Sequence, residues 1–513
     1  MAKISRREFV VNGAKWVALA SIPGIFRLNP ATVLAGPLGS GKLDEYMNLF
    51  GVDEETLRKV MASALSRGGD YCDLYFEHTV SNWVALQDDA VNRAYANIDF
   101  GVGIRVLKGE QTGYSYTEEI NEKTMLKAAE TAAAIATGGA ASKPAKFAYE
   151  ETADYYPTDE LWENVGIQRK IPFVQQLNQR LHDRDARIIK TRVSHSDQCS
   201  HILIATSTGK LVCDYRPMAL MSASCTAEEG SKREECWYSL SARRGPDQFN
   251  TQNLEKVADE AVRRTVTLLE AVKPDAGEME VVLSAGNSGI LLHEAIGHGM
   301  EADFNRKNES IYSDSIGKPI AESMVSIVDD GTWPNARGSI NFDDEGTPTQ
   351  KTYLVRNGIL ETFMHDLISA KHYGVPPTGN GRRESFRYAP VPRMRCTYMQ
   401  PGPNTREEVI GSVKKGLYCE SFTNGEVNIG PGDFTFYVKT GNLIEGGKLT
   451  RPIKDVNIIG NGPEVLKRVV MVGNDMELAE SGGTCGKAGQ GVPVSMGLPT
   501  VKVSAITVGG VSS

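Results

Sequence analysis

The sequence predicts an α+β fold: a mixed α/β N-terminal domain, then a mainly β, barrel-like C-terminal domain that carries one prominent helix. Three observations predict it. Between residues 43 and 272 the apolar spacing switches repeatedly between the helical period and the alternation of strands. Pro274-Asp275-Ala276-Gly277 then punctuates the chain. Beyond that point one helix is followed by Gly-rich strand-like runs, where most of the 51 glycines gather.

The elements follow in order. Apolar positions recur at helical spacing from Leu43 to about Arg67, and Tyr71–Thr79, Trp83–Leu86, Val102–Lys108 and Thr112–Thr117 alternate like a meander. Helical spacing returns over Glu122–Thr137 and Ile167–Arg184. Further strands are expected at Ile188–Ser194, His201–Thr206, Leu211–Tyr215 and Met221–Thr226, closed by a helix over Gln252–Val272. The domains so divided are a signal segment over 1–35, an N-terminal α+β domain over 36–275 and a C-terminal mainly β domain over 276–513.

The signal reading rests on Ser5-Arg6-Arg7-Glu8-Phe9-Val10, two arginines ahead of an uncharged stretch from Trp16 to Phe26 that is short for a bilayer. Val33-Leu34-Ala35 then offers a cleavage site before Gly36. This is the order of a twin-arginine export signal. Export by that route carries folded proteins, so a cofactor or metal inserted in the cytoplasm and a periplasmic or extracytoplasmic location are expected, with cytoplasmic residence the alternative. Gly36-Pro-Leu-Gly-Ser-Gly41-Lys42 resembles a P-loop but ends on Leu43, with no hydroxyl for magnesium and no strand before it, so it reads as a flexible junction. A net charge of −8 excludes a polyanion grip, hence no nucleic acid and no membrane contact beyond the signal. Eight Cys in 513 residues, none in a CxxC pair, exclude a disulfide scaffold and a zinc knuckle.

Chemistry concentrates at His293-Glu294-Ala-Ile-Gly-His298. The spacing is one residue longer than the zincin His-Glu-x-x-His. On an ideal helix residues five apart lie about 140° apart in projection, too far round to share one metal ion. Two imidazoles converge only if the helix widens, and a π-type turn does this, with Gly297 and Gly299 permissive for it. Glu294 then faces the metal as general base. A catalytic zinc site needs a third protein ligand. Glu301, Asp303, His365, His372 and Cys485, the last in a Gly-rich loop, are the candidates; the other seven Cys read as buried thiols. Arg382 and Arg383 can pair with a substrate carboxylate or with the protein's own acids, the second being the favoured reading, and the acidic runs at Asp329-Asp330 and Asp343-Asp344-Glu345 read as turn chemistry.

The run from His293 to Arg306, with Asp329-Asp330-Gly331-Thr332, Asp343-Asp344-Glu345-Gly346-Thr347-Pro348, Gly379-Asn-Gly-Arg-Arg-Glu-Ser385, Pro392-Arg393-Met394, Met471-Val-Gly-Asn474 and Gly483-Thr-Cys-Gly-Lys487, resembles the TldD/PmbA family of zinc metallopeptidases. The resemblance spans roughly residues 276 to 510 and implies Zn2+ held by His293, His298 and Cys485, with Glu294 as catalytic base. It also implies short or unfolded peptides as substrate, and a homodimer or a heterodimer with a PmbA-like subunit. A metal-dependent amidase on modified peptides, or a non-catalytic assembly subunit, are the alternatives. Peptide held by strand addition to a Gly-rich sheet edge is the expected binding mode.

Overall fold

The computed structural model describes residues 43–136, 139–151 and 153–510. The twin-arginine segment, its cleavage site and the Gly36–Lys42 stretch lie outside them. No helix among the described residues is long and apolar enough to cross a membrane.

The single helix expected over 43–67 is two, α1 (Leu43–Phe50) and α2 (Glu54–Ala64). Gly51 turns left-handed between them at φ 64°, and Asp53 caps α2 by accepting the Thr56 N–H at 2.8 Å. Then come β1 (Tyr71–Gln87), β2 (Ala90–Lys108), β3 (Gln111–Thr117), α3 (Glu122–Ala133), β4 (Ala148–Tyr149), α4 (Ile167–Arg184), β5 (Ile188–Thr206), β6 (Lys210–Glu229), β7 (Lys232–Ala242) and α5 (Thr251–Glu270). They form one sheet in the order β3-β2-β1-β5-β6-β4, with β7 also on β6.

Each pair of short strands expected at 71–86, 188–206 and 211–226 is in fact one strand of 17 to 20 residues. The polar residues that suggested breaks satisfy one another across the sheet. Asn82 donates to Asp197 Oδ1 at 2.8 Å, and Lys170 reaches the same carboxylate at 2.9 Å. The alternation also separates two faces. Leu74, Phe76, Val84 and Leu86 of β1 point towards the helices, the first two into a core with α1 to α3 and the last two into a core with α4 and α5. Tyr75 points the other way and packs with Ile202, Ile204, Val212, Phe342 and Phe386, so the opposite face carries the second domain.

That domain runs through β8 (Gly277–Leu283), β9 (Ile327–Asp330), β10 (Lys351–Arg356), β11 (Ile359–Leu360), β12 (Gly381–Arg382), β13 (Val391–Pro392), β14 (Cys396–Met399), β15 (Lys415–Asn428), β16 (Asp433–Glu445), β17 (Lys448–Ile453), β18 (Val456–Asn461), β19 (Val469–Val472), β20 (Glu477–Leu478), β21 (Gly483–Lys487), β22 (Gln490–Leu498) and β23 (Val501–Gly510). Strands β15, β8, β23, β18 and β16 pair in sequence, and β16 pairs back on β15. A closed five-stranded barrel results, as the barrel-like expectation required. A second sheet, β11-β10-β9-β14-β22-β20, stands beside it with β21 hydrogen-bonded to β22. Short helices at Leu367–Tyr373, Arg406–Gly411 and Gly462–Lys467 punctuate what was expected to be strand alone, the first two with side-chain caps from Asp366 and Thr405.

Arginines lock the two domains together. Arg105 on β2 reaches Asp73 Oδ2 at 2.6 Å and Glu345 Oε1 at 2.6 Å, all three fully buried. Arg216 on β6 bridges Asp214 at 2.7 Å and Asp344 at 2.6 Å, and Arg383 returns to Asp73 at 3.1 Å. Removing one partner of such a pair strands a buried charge, typically costing about 3–5 kcal/mol. Asp343 and Asp330 do follow the turn reading: Asp343 Oδ1 accepts the N–H groups of Glu345 and Thr347, and Asp330 that of Thr332. Asp344 and Glu345 instead receive arginines from the first domain, and Asp329 receives Arg395.

Candidate metal centre

The prominent helix is composite. An α-helical turn, α6 (Gly289–Leu292), gives way to a π turn over His293–Gly297 and a 3-10 turn over His298–Met300, before α7 (Ala302–Arg306). Leu291, Leu292, Ala295, Ile296 and Met300 anchor it in the barrel-side core. The His298 N–H donates to the His293 carbonyl, five residues back, which is the π bond itself. The widened turn brings the imidazoles together, with ring centroids 5.2 Å apart and planes at 82°.

Gly297 and Gly299 serve this turn differently from the expectation. Gly297 has an ordinary helical φ of −60°. A Cβ there would lie 2.1 Å from Met394 Sδ, and one on Gly299 would lie 2.8 Å from the Tyr312 ring. These glycines are required by close packing and not by backbone strain.

Cys485 arrives on β21, a strand of a hairpin with β22 where a loop was expected. Its thiol is buried, not uncrowded, with the residue 4% exposed. Ligand atoms of His293, His298 and Cys485 all lie within 4.8 Å of one another, and Cys485 Sγ is 3.3 Å from His298 Nε2. Zinc–nitrogen and zinc–sulfur bonds of ordinary length in a tetrahedron put such atoms about 3.5 Å apart. Burial opposes ionisation of the thiol, but the imidazoles of His293 and His298 outweigh it and pull its pKa down to about 5. Burial likewise disfavours His298⁺, yet Glu301 and Cys485 hold its pKa well above the usual imidazole value. Two imidazoles and a ready thiolate are a donor set suited to zinc.

Behind the donors is a polar shell. Glu301 Oε2 lies 2.9 Å from His298 Nδ1, which fixes the ring so that Nε2 faces Cys485. Lys487 donates to Glu301 at 3.0 Å, to Asp303 at 2.6 Å and to the Pro392 carbonyl at 3.0 Å. Burial tends to raise the Glu301 pKa, but Lys487 and His298 bring it down to about 2. Glu301 and Asp303, read from spacing as possible ligands, thus orient and neutralise. Their proximity to His298 was legible three and five residues on; the role of Lys487, arriving 184 residues after Asp303, was not.

Glu294 sits beside the donors, its Oε2 3.8 Å from His298 Nε2 and its side chain 24% exposed. His365 is elsewhere, with Nε2 near Thr362 Oγ1 at 3.3 Å, and His372 pairs with Glu110 at 2.7 Å. Arg337 and Arg393 donate to the carbonyls of Gly483 and Cys485, so strand addition finds those groups of β21 engaged. Arg383 is paired as expected, whereas among the described residues Arg382 donates to the carbonyls of Met394 and Pro493 and to no acid.

Known proteins carry the same arrangement of domains. The chain matches the PmbA/TldA metallopeptidase C-terminal domain over residues 276–510, its domain 1 over 72–136 and its central domain over 160–269. A protein of Haemophilus influenzae named metalloprotease TldD homolog is 39% identical over 463 residues, covering 89% of this chain and 96% of that protein. The chain belongs to the PmbA/TldD metallopeptidase family. A Saccharolobus solfataricus member named zinc metalloprotease TldD homolog is 28% identical, covering 88% of this chain and 99% of its own. The crystal structure of TldE from Thermococcus kodakarensis shares the fold, with a TM-score of 0.72 at 17% identity over 89% of this chain and 99% of that one.

Proposed function

We propose that this PmbA/TldD family member is a zinc-dependent metallopeptidase acting on short or unfolded peptides, with His293, His298 and Cys485 as the zinc ligands. The observation that carries the reading is the buried convergence of these three donors beside a partly exposed carboxylate, Glu294. Zinc supplies Lewis acidity there, acidifying water and polarising a peptide carbonyl. Glu294 takes the proton from the attacking water and passes it to the departing amine. Glu301 holds His298 in one tautomer, and Lys487 balances the charge of Glu301.

Association with a second subunit of the same family is supported by the edge of β2. β3 pairs with its second half, from Val102 onward, so among the described residues the first half is an open edge, on which Tyr95 is 60% and Ile98 63% exposed. Export is supported by the paired arginines at Arg6 and Arg7.

The decisive experiment is metal quantitation on the purified protein together with cleavage of a random peptide pool, with and without chelator. Bound zinc and chelator-sensitive cleavage are expected. Glu294→Gln should keep the zinc and lose activity by about 10²–10⁴-fold. A zinc-loaded Glu294→Gln variant that cleaves as well as the parent would overturn the role of Glu294.

A further inference from the structure

Between the two domains lies a cavity of about 500 Å³ whose charges are not all matched. Six arginines line it. Arg216, Arg383 and Arg387 each meet carboxylates, but Arg243, Arg337 and Arg382 have none within 4 Å among the described residues. Arg243 is 97% buried, and its Nε has no partner among them. Among the described residues Arg337 bonds Gly483 O, Ser241 Oγ and Thr484 Oγ1, and Arg382 bonds carbonyls alone. Three guanidinium groups thus face one space with no carboxylate in contact among the described residues, Asp214 and Asp344 being nearby but engaged by Arg216, an expensive arrangement unless an anion completes it. Burial lowers the pKa of Arg382 to about 9 and, with Arg243 beside it, that of Arg337 to about 10, in keeping with this excess of positive charge.

The other end of the cavity carries carboxyl groups with no cation against them. Glu77 accepts from Thr79 Oγ1 at 2.7 Å and from the Phe386 N–H at 2.8 Å, and Glu384 accepts from the Gly491 N–H. Neither meets a cation among the described residues. Glu77 is on β1, while Arg243 directly follows β7, and the sheet order β1-β5-β6-β7 puts three strand spacings between them, about 14 Å. The register adds an offset of four residues along the strands. After side-chain reach, the remaining span suits two to four extended residues of roughly 3.3–3.6 Å each.

This cavity is not the metal centre. In the β21–β22 hairpin Thr484 pairs with Pro493 and both line the cavity, whereas Cys485 pairs with Val492 on the other face. We propose that the cavity is a second peptide site, for short peptides with both termini free. The C-terminal carboxylate sits on Arg243, Arg337 and Arg382, and the ammonium group lies towards Glu384, with the Glu77 carboxyl as a further hydrogen-bonding group. Because Arg337 also holds Gly483 and Thr484, occupancy here bears directly on the strand that carries Cys485.

Calorimetric titration of the full chain tests this, in the Glu294→Gln background so that the probe stays intact and the result stands apart from hydrolysis. Tri-alanine should bind, and its C-terminal amide and its N-acetyl form should each bind at least 10-fold more weakly. Inorganic phosphate should not compete. Arg243→Gln should weaken tri-alanine at least 10-fold and leave the amide unchanged, while Cys485→Ser should retain tri-alanine. Removing an unpaired buried charge should also raise the melting temperature of the peptide-free protein. Equal binding of acid and amide, competition by phosphate, loss of binding with Cys485→Ser, or a lower melting temperature for Arg243→Gln would each overturn the proposal.

Discussion

Two carboxylates of the composite helix, Glu294 and Glu301, flank the same imidazole from different sides. Glu294 faces Nε2 at 3.8 Å, the nitrogen that also meets Cys485 Sγ at 3.3 Å, and Glu301 takes Nδ1 at 2.9 Å. Glu301→Gln should therefore leave the fold of the turn in place but weaken zinc binding by about 10–100-fold, read by competition with a chromogenic chelator. An affinity within twofold of the parent would remove Glu301 from the support of His298. Cys485→Ser should lower zinc stoichiometry more severely, because it replaces a thiolate with a poor ligand. His293 and His298 stood out in sequence by their motif, whereas Cys485 was one of five candidates for the third donor and was singled out only by the family resemblance. Which of Glu301, Asp303, His365 and His372 turned inward was not legible, since spacing fixes proximity along a helix but not which atom a distant Lys487 will claim.

The π turn is the element that makes the extra residue between Glu294 and His298 productive. Its need was legible from the roughly 140° that an ideal helix leaves between positions five apart, and its hydrogen bond is present. The reason for Gly297 was not legible, because Met394 approaches from a distant segment of the chain. Gly297→Ala should destabilise by about 1–3 kcal/mol through overpacking. Met394→Ala in the same chain should recover part of that loss, a non-additivity that thermal melts of the two single variants and the double variant would show. Among the longer elements, α4 was read at Ile167–Arg184 to the residue, because its apolar stripe runs the whole length despite Pro172 near its start. The long strands were read as fragments, since Asn82 and Asp197 look like turn residues until each has found the other. β7 was missed altogether, its first residues, Lys232 to Glu235, being charged and largely exposed.

For the molecule as a whole, the face between the domains sets a pH dependence. Burial raises the pKa of Glu77 from 4.5 to about 7, outweighing its hydrogen bonds from Thr79 and Phe386. The folded chain then holds a proton that the unfolded chain releases above about 4.5, so stability falls as pH rises from there to about 7. The full difference is on the order of 3 kcal/mol. Glu77→Gln should flatten the fall in melting temperature across this window, and an unchanged slope would show that other groups carry it. A more distant consequence follows from how the barrel and the metal site are strung on the chain. β8 pairs with β23, at the far end of the second domain, and Cys485 stands 187 residues after His298. Loops of that length close late and slowly. On the ribosome the histidine pair is made long before its thiol partner, and chains halted before Cys485 have neither the closed barrel nor the third donor. On the proposed ligand set, the metal site is complete only at the close of synthesis, when most of the first domain has already had time to fold.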